Sequence, residues 1–326
     1  YPDNTTYTDV VWRAVNETGV EVNLVTLCPD ESGKSVIIKP MGDGCFRLRC
    51  MSRSGDQDRY RIISDLEMKV EGFGPAFTDP YELVMGSLYT RSNGKEGAGN
   101  DKGVASATDG DTVITFDHLD FGNRYADEIT MPLFTLNGEP YEIEIYEGLP
   151  EEGKLLGQVV YQKEMIWNVY QEDTWKLDRP VTGVTSLSFV FHNKVHMKGF
   201  RFTKEEKAYF PLKAVWAEAI YGDSFEKTET AVEKIGNNVS LLYTGMDFGD
   251  EGCSRIQIVG RAPKEDNPIH IRFANGQEEI KQVVSFPRSE DYMEVTLELE
   301  NVKGKWDVSF VFMPGSCFDF ESFRFA

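Results

Sequence analysis

The chain has 326 residues, with 54 Asp and Glu against 34 Lys and Arg and a formal net charge of −20. Such a charge repels nucleic acid and anionic membranes. No stretch approaches the roughly 18–20 consecutive apolar residues of a membrane span, so neither partner is expected, and the length suits two or three domains that each bury a core.

Glycine, Asx and aromatic residues are plentiful and apolar runs are short, which predicts an all-β protein. The chain opens at Tyr1-Pro2-Asp3 without Met or signal peptide and reads as a processed product or an excised fragment. Residues 1–94 read as short strands over 8–14, with Trp12, then 21–27, 35–39, 45–50, 61–63 and 66–71. Turn chemistry at Asp30-Glu31-Ser32-Gly33, Gly42-Asp43-Gly44 and Ser54-Gly55-Asp56 separates them. Six or seven strands over this span predict an immunoglobulin-like β-sandwich.

Residues 92–100, polar and glycine-rich, read as a linker. A duplication follows. Leu119-Asp120-Phe121-Gly122 returns as Met246-Asp247-Phe248-Gly249, and Ile143-Glu144-Ile145 as Ile269-His270-Ile271. Val159-Val160 returns as Val283-Val284, and Trp167 as Tyr292. Val181-Thr182-Gly183 with residues 187–191 returns as Val302-Lys303-Gly304 with residues 308–312, and Gly199-Phe200-Arg201-Phe202 as Ser322-Phe323-Arg324-Phe325. Matches in one order at so long a period mean a duplicated domain. Inside each copy, Glu142-Ile143-Glu144-Ile145 and Thr296-Leu297-Glu298-Leu299 alternate with period two. Two tandem jelly-roll β-sandwiches fit this pattern, over 95–204 and 205–326. Near the second boundary, Tyr209-Phe210-Pro211 reads as packing between the repeats or as one helical turn.

The five cysteines, Cys28, Cys45, Cys50, Cys253 and Cys317, are odd in number, form no CxxC pair and do not recur between copies. Neither a disulfide framework nor zinc is expected, and the usage leans to a reducing, cytoplasmic compartment.

The repeat resembles family 6 carbohydrate-binding modules and their galactose-binding-like relatives. The resemblance rests on Trp216-Ala217-Glu218-Ala219, Tyr243-Thr244-Gly245-Met246-Asp247-Phe248-Gly249, Tyr292 and the closing run from Gly304 to Phe325. The first copy supplies Phe116, Trp167 and residues 194–202 at the same places. Residues 7–15, 42–50 and 63–72 look like the sandwich that follows the catalytic barrel of bacterial glycoside hydrolase family 2 enzymes. The order of domains resembles the C-terminal part of a family 2 β-galactosidase, whose barrel and two catalytic Glu residues would lie upstream of Tyr1.

These resemblances imply the sites. In family 6 modules two loop aromatics sandwich a sugar and an Asn near the closing strand binds its rim. In the first copy Trp167 and Asn168 are the sugar-binding candidates, with Trp175 further along, while the second aromatic position falls near Val113 and the Asn position on His196. In the second copy the candidates are Tyr292, Asn237, Asn238 and Asp319, with Ser240 at the second aromatic position. The modules' structural calcium implies Glu218 and Glu321, with Asp319 close by, in the second copy only, since Lys198 stands at the closing position of the first. No other cofactor is expected.

No catalysis is expected of this chain. Asn16-Glu17 is similar to the Asn-Glu dipeptide of family 2 acid/base sites but reads as a surface turn, and the sequons at Asn4, Asn16 and Asn238 read as coincidence. His118, His192, His196 and His270 join no nucleophile motif. The chain therefore reads as a non-catalytic accessory region that binds carbohydrate beside its own catalytic domain, with galactose-containing glycans as one candidate ligand, since the sequence does not identify the sugar. The alternative is a structural role, packing on that barrel or mediating oligomerisation.

Overall fold

The computed structural model describes residues 7–54 and 61–326. The sequon at Asn4 lies outside them, and so does most of the expected turn at Ser54-Gly55-Asp56. Regular structure among the described residues is strand and short 3-10 turn, without α-helix. The chain divides into two compact units, Tyr1–Gly122 with Ala126–Lys204, and Asn123–Tyr125 with Glu205–Ala326.

The start of the first unit holds five described strands. Tyr7–Val15, Gly44–Ser54 and Arg61–Val70 form an antiparallel sheet, and Val25–Pro29 pairs with Val36–Pro40. Ala14, Val25, Phe46 and Leu48 form its small core. The strands expected at 61–63 and 66–71 are one continuous strand. Ser64-Asp65 does not break it because Asp65 lies opposite Arg49 and accepts from its Nε at 2.8 Å.

The rest of the first unit is a sandwich of two sheets. One runs Lys154–Tyr161, Tyr141–Glu147, Val184–Phe191, Thr112–Asp120, Arg91–Ser92. The other is built on Ala126–Thr135, flanked by Gln171–Val181, Val195–Met197 and Gly199–Phe202. Residues 92–100 are not a linker: Arg91–Ser92 pairs with Thr112–Asp120, and Gly97–Ala98 with Val104–Ala105. Most of their polar side chains are exposed, the half-buried Glu96 accepting from Tyr89 O–H at 3.0 Å, while their backbone completes sheet edges.

The second unit repeats this plan. Val239–Asp247 and Asn267–Ala274 flank Lys305–Phe312 in one sheet, and Phe318–Phe325 and Met293–Val302 flank Cys253–Arg261 in the other. Lys207–Tyr209 makes one 3-10 turn at its start.

The repeated motifs are the framework of each sandwich. Asp120 accepts from the Gly122 N–H at 2.8 Å, and Asp247 from the Gly249 N–H at 3.0 Å. Each Asp thereby closes a turn whose glycine has φ near +60°, a conformation glycine adopts without strain. The Phe between them is fully buried. Phe121 N–H donates to Gly183 O and Gly183 N–H to Gly122 O; Phe248 and Gly304 repeat the exchange with Gly304 and Gly249. The distant Val-x-Gly match is thus the other half of the Asp-Phe-Gly turn. In the closing strands Phe200, Phe202, Phe323 and Phe325 point inward and the arginines between them outward. Each buried Phe contributes about 1.5–3 kcal/mol by leaving water.

Candidate functional site

In the first unit a loop joins Lys154–Tyr161 to Gln171–Val181, and Trp167 and Asn168 form a turn at its tip. The Trp167 side chain is 72% exposed, and Met165, Ile166 and Val169 beside it are exposed too. So much uncovered indole on a folded surface marks a contact site rather than core.

The loop is held from below. Asn168, at φ +59°, accepts from the Asn100 side-chain amide, and Tyr170 O–H donates to Asn100 O at 2.8 Å. Tyr170 packs edge-on against Phe134, with the Lys198 ammonium 6.0 Å from its ring. Burial, with the nearby Asp101 charge, pushes the Tyr170 hydroxyl up to about 12, so it stays a neutral donor. Phe134 in turn stacks on His196 with centroids 4.1 Å apart. Burial, and secondarily Lys194, holds His196 below the usual histidine range. The structure thus gathers Trp167, Asn168, Asn100, Tyr170, Lys198 and His196 around one loop cluster. Trp175 is not part of it: it lies on the next strand, half-buried, with its N–H on Val160 O at 3.1 Å.

The corresponding place in the second unit is filled by its own side chains. Tyr292 is half-buried, its O–H donates to Glu233 at 2.9 Å, and the Arg261 guanidinium lies 5.4 Å from its ring centroid. Burial and the Glu233 bond push the Tyr292 hydroxyl well above its ordinary value. Asp319, 4% exposed, accepts from Arg261 Nε at 2.7 Å and from the Lys234 backbone N–H at 2.7 Å. The Asp319 hydrogen bond raises Arg261 above its ordinary value. Asp319 therefore faces Arg261 and Lys234. Asn237 accepts from Gly315 N–H at 2.9 Å, and Asn238 is an exposed residue at φ +55°. No hydrogen bond joins either Asn to Tyr292 among the described residues.

Arg261 and Glu233 were not foreseen from the sequence, which does not show the sheet register. Arg261 lies directly across from Asp319 in the register in which Phe134 lies across from His196. The two copies thus differ as a pair, aromatic with imidazole in one and cation with carboxylate in the other.

The residues present do not fit a calcium ion in the second unit. Glu218 accepts from the ammonium of Lys207, a residue 4% exposed, whose Nζ also donates to Thr244 O at 2.9 Å. A buried cation already neutralises the carboxylate expected to hold the metal. Asp319 is engaged by Arg261, and no group of three or more His, Cys, Asp or Glu placed to hold a metal occurs among the described residues. In the first unit Asp117 is likewise satisfied internally, by Arg91 Nε at 2.9 Å, Thr90 at 2.7 Å and Ser186 at 2.6 Å.

The comparisons with known proteins bear on the first copy. Residues 85–204 match the family model of carbohydrate binding module (family 6). Solved structures similar to the chain include CsCBM6-3 of Clostridium stercorarium in complex with cellobiose, at 22% identity, covering 40% of this chain and 98% of that one, with a TM-score of 0.35. A family 6 module of Clostridium cellulolyticum in complex with xylose is 24% identical, covering 36% and 98%, with a TM-score of 0.32. A β-1,3-glucan binding family 6 module of Bacillus halodurans is 21% identical, covering 39% and 99%, with a TM-score of 0.33. None of the curated proteins compared with the chain matches it. The family 6 match begins at residue 85, and Val84–Met85 and Arg91–Ser92 pair with strands of the matched sandwich.

Proposed function

We propose that the Trp167 loop of the family 6 module is a saccharide platform, and that the chain is a non-catalytic accessory region of a family 2 glycoside hydrolase with galactose-containing glycans as its ligands. The carrying observation is Trp167 itself, 72% exposed on a loop fixed by the Asn168–Asn100 and Tyr170–Asn100 hydrogen bonds. A pyranose presents an apolar C–H face to such a ring, while the amides of Asn168 and Asn100 take the hydroxyl rim. Bracing before binding reduces the ordering cost. The parentage rests on the order expected from the sequence, an N-terminal segment followed by two copies of one sandwich, and on the first segment's sequence resemblance. The second copy contributes structure: Arg261 lies over its one loop aromatic as a sugar ring would.

Affinity electrophoresis and calorimetry against galactans, xylan, cellulose and β-1,3-glucan test this. Trp167→Ala is expected to weaken binding about 30-fold, the ~2 kcal/mol of a central aromatic contact, while Tyr292→Ala leaves it unchanged. Undiminished binding by Trp167→Ala refutes the platform. A second reading follows from Met165, Ile166 and Val169, exposed beside Trp167: the patch would pack on the parent's catalytic domain or mediate oligomerisation. Light scattering of the chain, alone and with the separately expressed parent barrel, detects either association.

A further inference from the structure

A second cleft lies in the first unit, away from the Trp167 loop. It has a volume of about 680 Å³, inside the roughly 300–1,000 Å³ of small-ligand sites. Leu24, Val84 and Phe116 contribute to its apolar floor, and Phe77 and His118 stand at its wall.

Phe77 is 50% exposed although its carbonyl and the chain on either side of it, at Gly74 and Thr78, are hydrogen-bonded. The Asn23 amide donates to Phe77 O and, at 3.1 Å, to Thr78 Oγ1. Thr78 N–H donates to His118 O at 2.9 Å, and Asp120 N–H returns to Thr78 O at 2.9 Å. Upstream, Asp43 accepts from Phe73 N–H at 2.9 Å and Gly74 N–H at 3.0 Å. The ring is thus presented by a rigid segment, with His118 edge-on at 6.1 Å.

The rim is made of acceptors. Its charged lining residues are all acidic, and none of the described ones is Lys or Arg. Most of that charge is already answered: Glu21 pairs with Arg13, Asp117 with Arg91, and Asp43 with two backbone N–H groups. Glu82 is exposed with no partner among the described residues, and Asp79 has one oxygen on Tyr81 N–H at 2.9 Å. An acceptor rim excludes anions. The apolar floor and half-exposed phenyl ring suit the C–H face of a pyranose rather than a small hydrated cation, and two carboxylates suit vicinal hydroxyls.

We propose that this cleft is a second saccharide site, independent of Trp167, which takes one or two pyranose units of a neutral glycan. Phe77 is its stacking platform, and Glu82 and Asp79 accept from the hydroxyls. The test titrates the full chain by calorimetry with cellohexaose, xylohexaose, laminarihexaose and a β-1,4-galactohexaose. The expected result is that the Trp167→Ala protein still binds one of these sugars. Adding Phe77→Ala or the surface change Glu82→Gln then weakens that binding at least tenfold, and adding Phe77→Tyr preserves it. Glu82→Gln keeps the test valid if Phe77→Ala disturbs folding. The cleft is refuted if Trp167→Ala alone abolishes all binding, an outcome that leaves the Trp167 platform standing. If Phe77→Ala alone abolishes binding and Trp167→Ala does not weaken it, the cleft stands and the platform falls. Binding of none of the four sugars by the wild type refutes the cleft.

Discussion

His196 stacks on Phe134 with ring centroids 4.1 Å apart, at the cross-strand position where the second copy places Asp319 against Arg261. The aromatic pair continues to Tyr170 through Phe134, below the loop that carries Trp167. The ion pair aims a guanidinium over Tyr292. The same scaffold thus carries an aromatic pair in one copy and an ion pair beside Tyr292 in the other.

Removing the filler has a measurable cost. Arg261→Ala leaves Asp319, buried at 4% exposure, with only the Lys234 N–H as its described hydrogen-bond donor. Arg261 is itself about a third exposed, which moderates the loss. Thermal unfolding of the variant should show destabilisation of about 1–3 kcal/mol, with Asp319→Asn restoring part of it by removing the stranded charge.

His196 gives the first unit a pH signature. Burial lowers its pKa from 6.5 in the folded state, so between the folded and unfolded values the unfolded chain binds more protons. Stability from neutral His196 is fully present above pH 6.5 and is lost as pH falls toward the folded value. His192 works in the opposite sense: the Asp111 hydrogen bond raises it, so its contribution is lost as pH rises through its folded value. Chemical denaturation of His196→Phe against wild type isolates the first effect. The variant's stability should fall less steeply below pH 6.5, and equal slopes would show that His196 does not titrate with folding.

The framework was legible in the sequence because its motifs are local. Asp-Phe-Gly closes a turn, Val-x-Gly interlocks with it, and Phe-Arg-Phe alternates across a strand. The exposed Trp167 was legible too, as the aromatic that the repeat aligns with Tyr292. Residues 92–100 misled because composition reports side-chain exposure and not backbone pairing. The filled state of the second copy was hidden for another reason. Glu233, Arg261, Tyr292 and Asp319 lie on separate strands and loops, and only the sheet register brings them together. Lys207 beside Glu218 was missed likewise, because a Lys that ends the charged run Lys204-Glu205-Glu206-Lys207 reads as surface until its burial is known.

The two copies also solve one backbone problem differently. In each, the register shifts along the strand between Phe116 and Leu119 or between Tyr243 and Met246, and a residue with positive φ sits there. It is Gly245 at φ +66° in the second copy and His118 at φ +58° in the first. Gly245→Ala should therefore destabilise by about 1–2 kcal/mol, aggravated because its Cβ would meet the Asn123 side-chain nitrogen at 2.5 Å. His118→Gly should be nearly neutral, relief of about 1–2 kcal/mol of strain offsetting the 0.5–1 kcal/mol entropy of a new glycine. Denaturant midpoints of both variants check the asymmetry; equal losses would mean that the positive φ at His118 carries no strain.

Lys207 makes the final prediction. Its ammonium bridges Glu218 and Thr244 O where the resemblance placed a calcium ion, so the second unit carries its own cation. Chelation with EDTA should leave the melting temperature of the wild-type chain unchanged, and millimolar calcium should not raise it. Lys207→Met keeps most of the buried aliphatic volume but strands the Glu218 carboxylate and the Thr244 carbonyl, a loss of about 1–3 kcal/mol. Glu218→Gln in the same chain removes the stranded charge and should recover part of that loss. A melting temperature that falls on chelation of the wild type would mean that a metal, rather than Lys207, supplies the charge at Glu218.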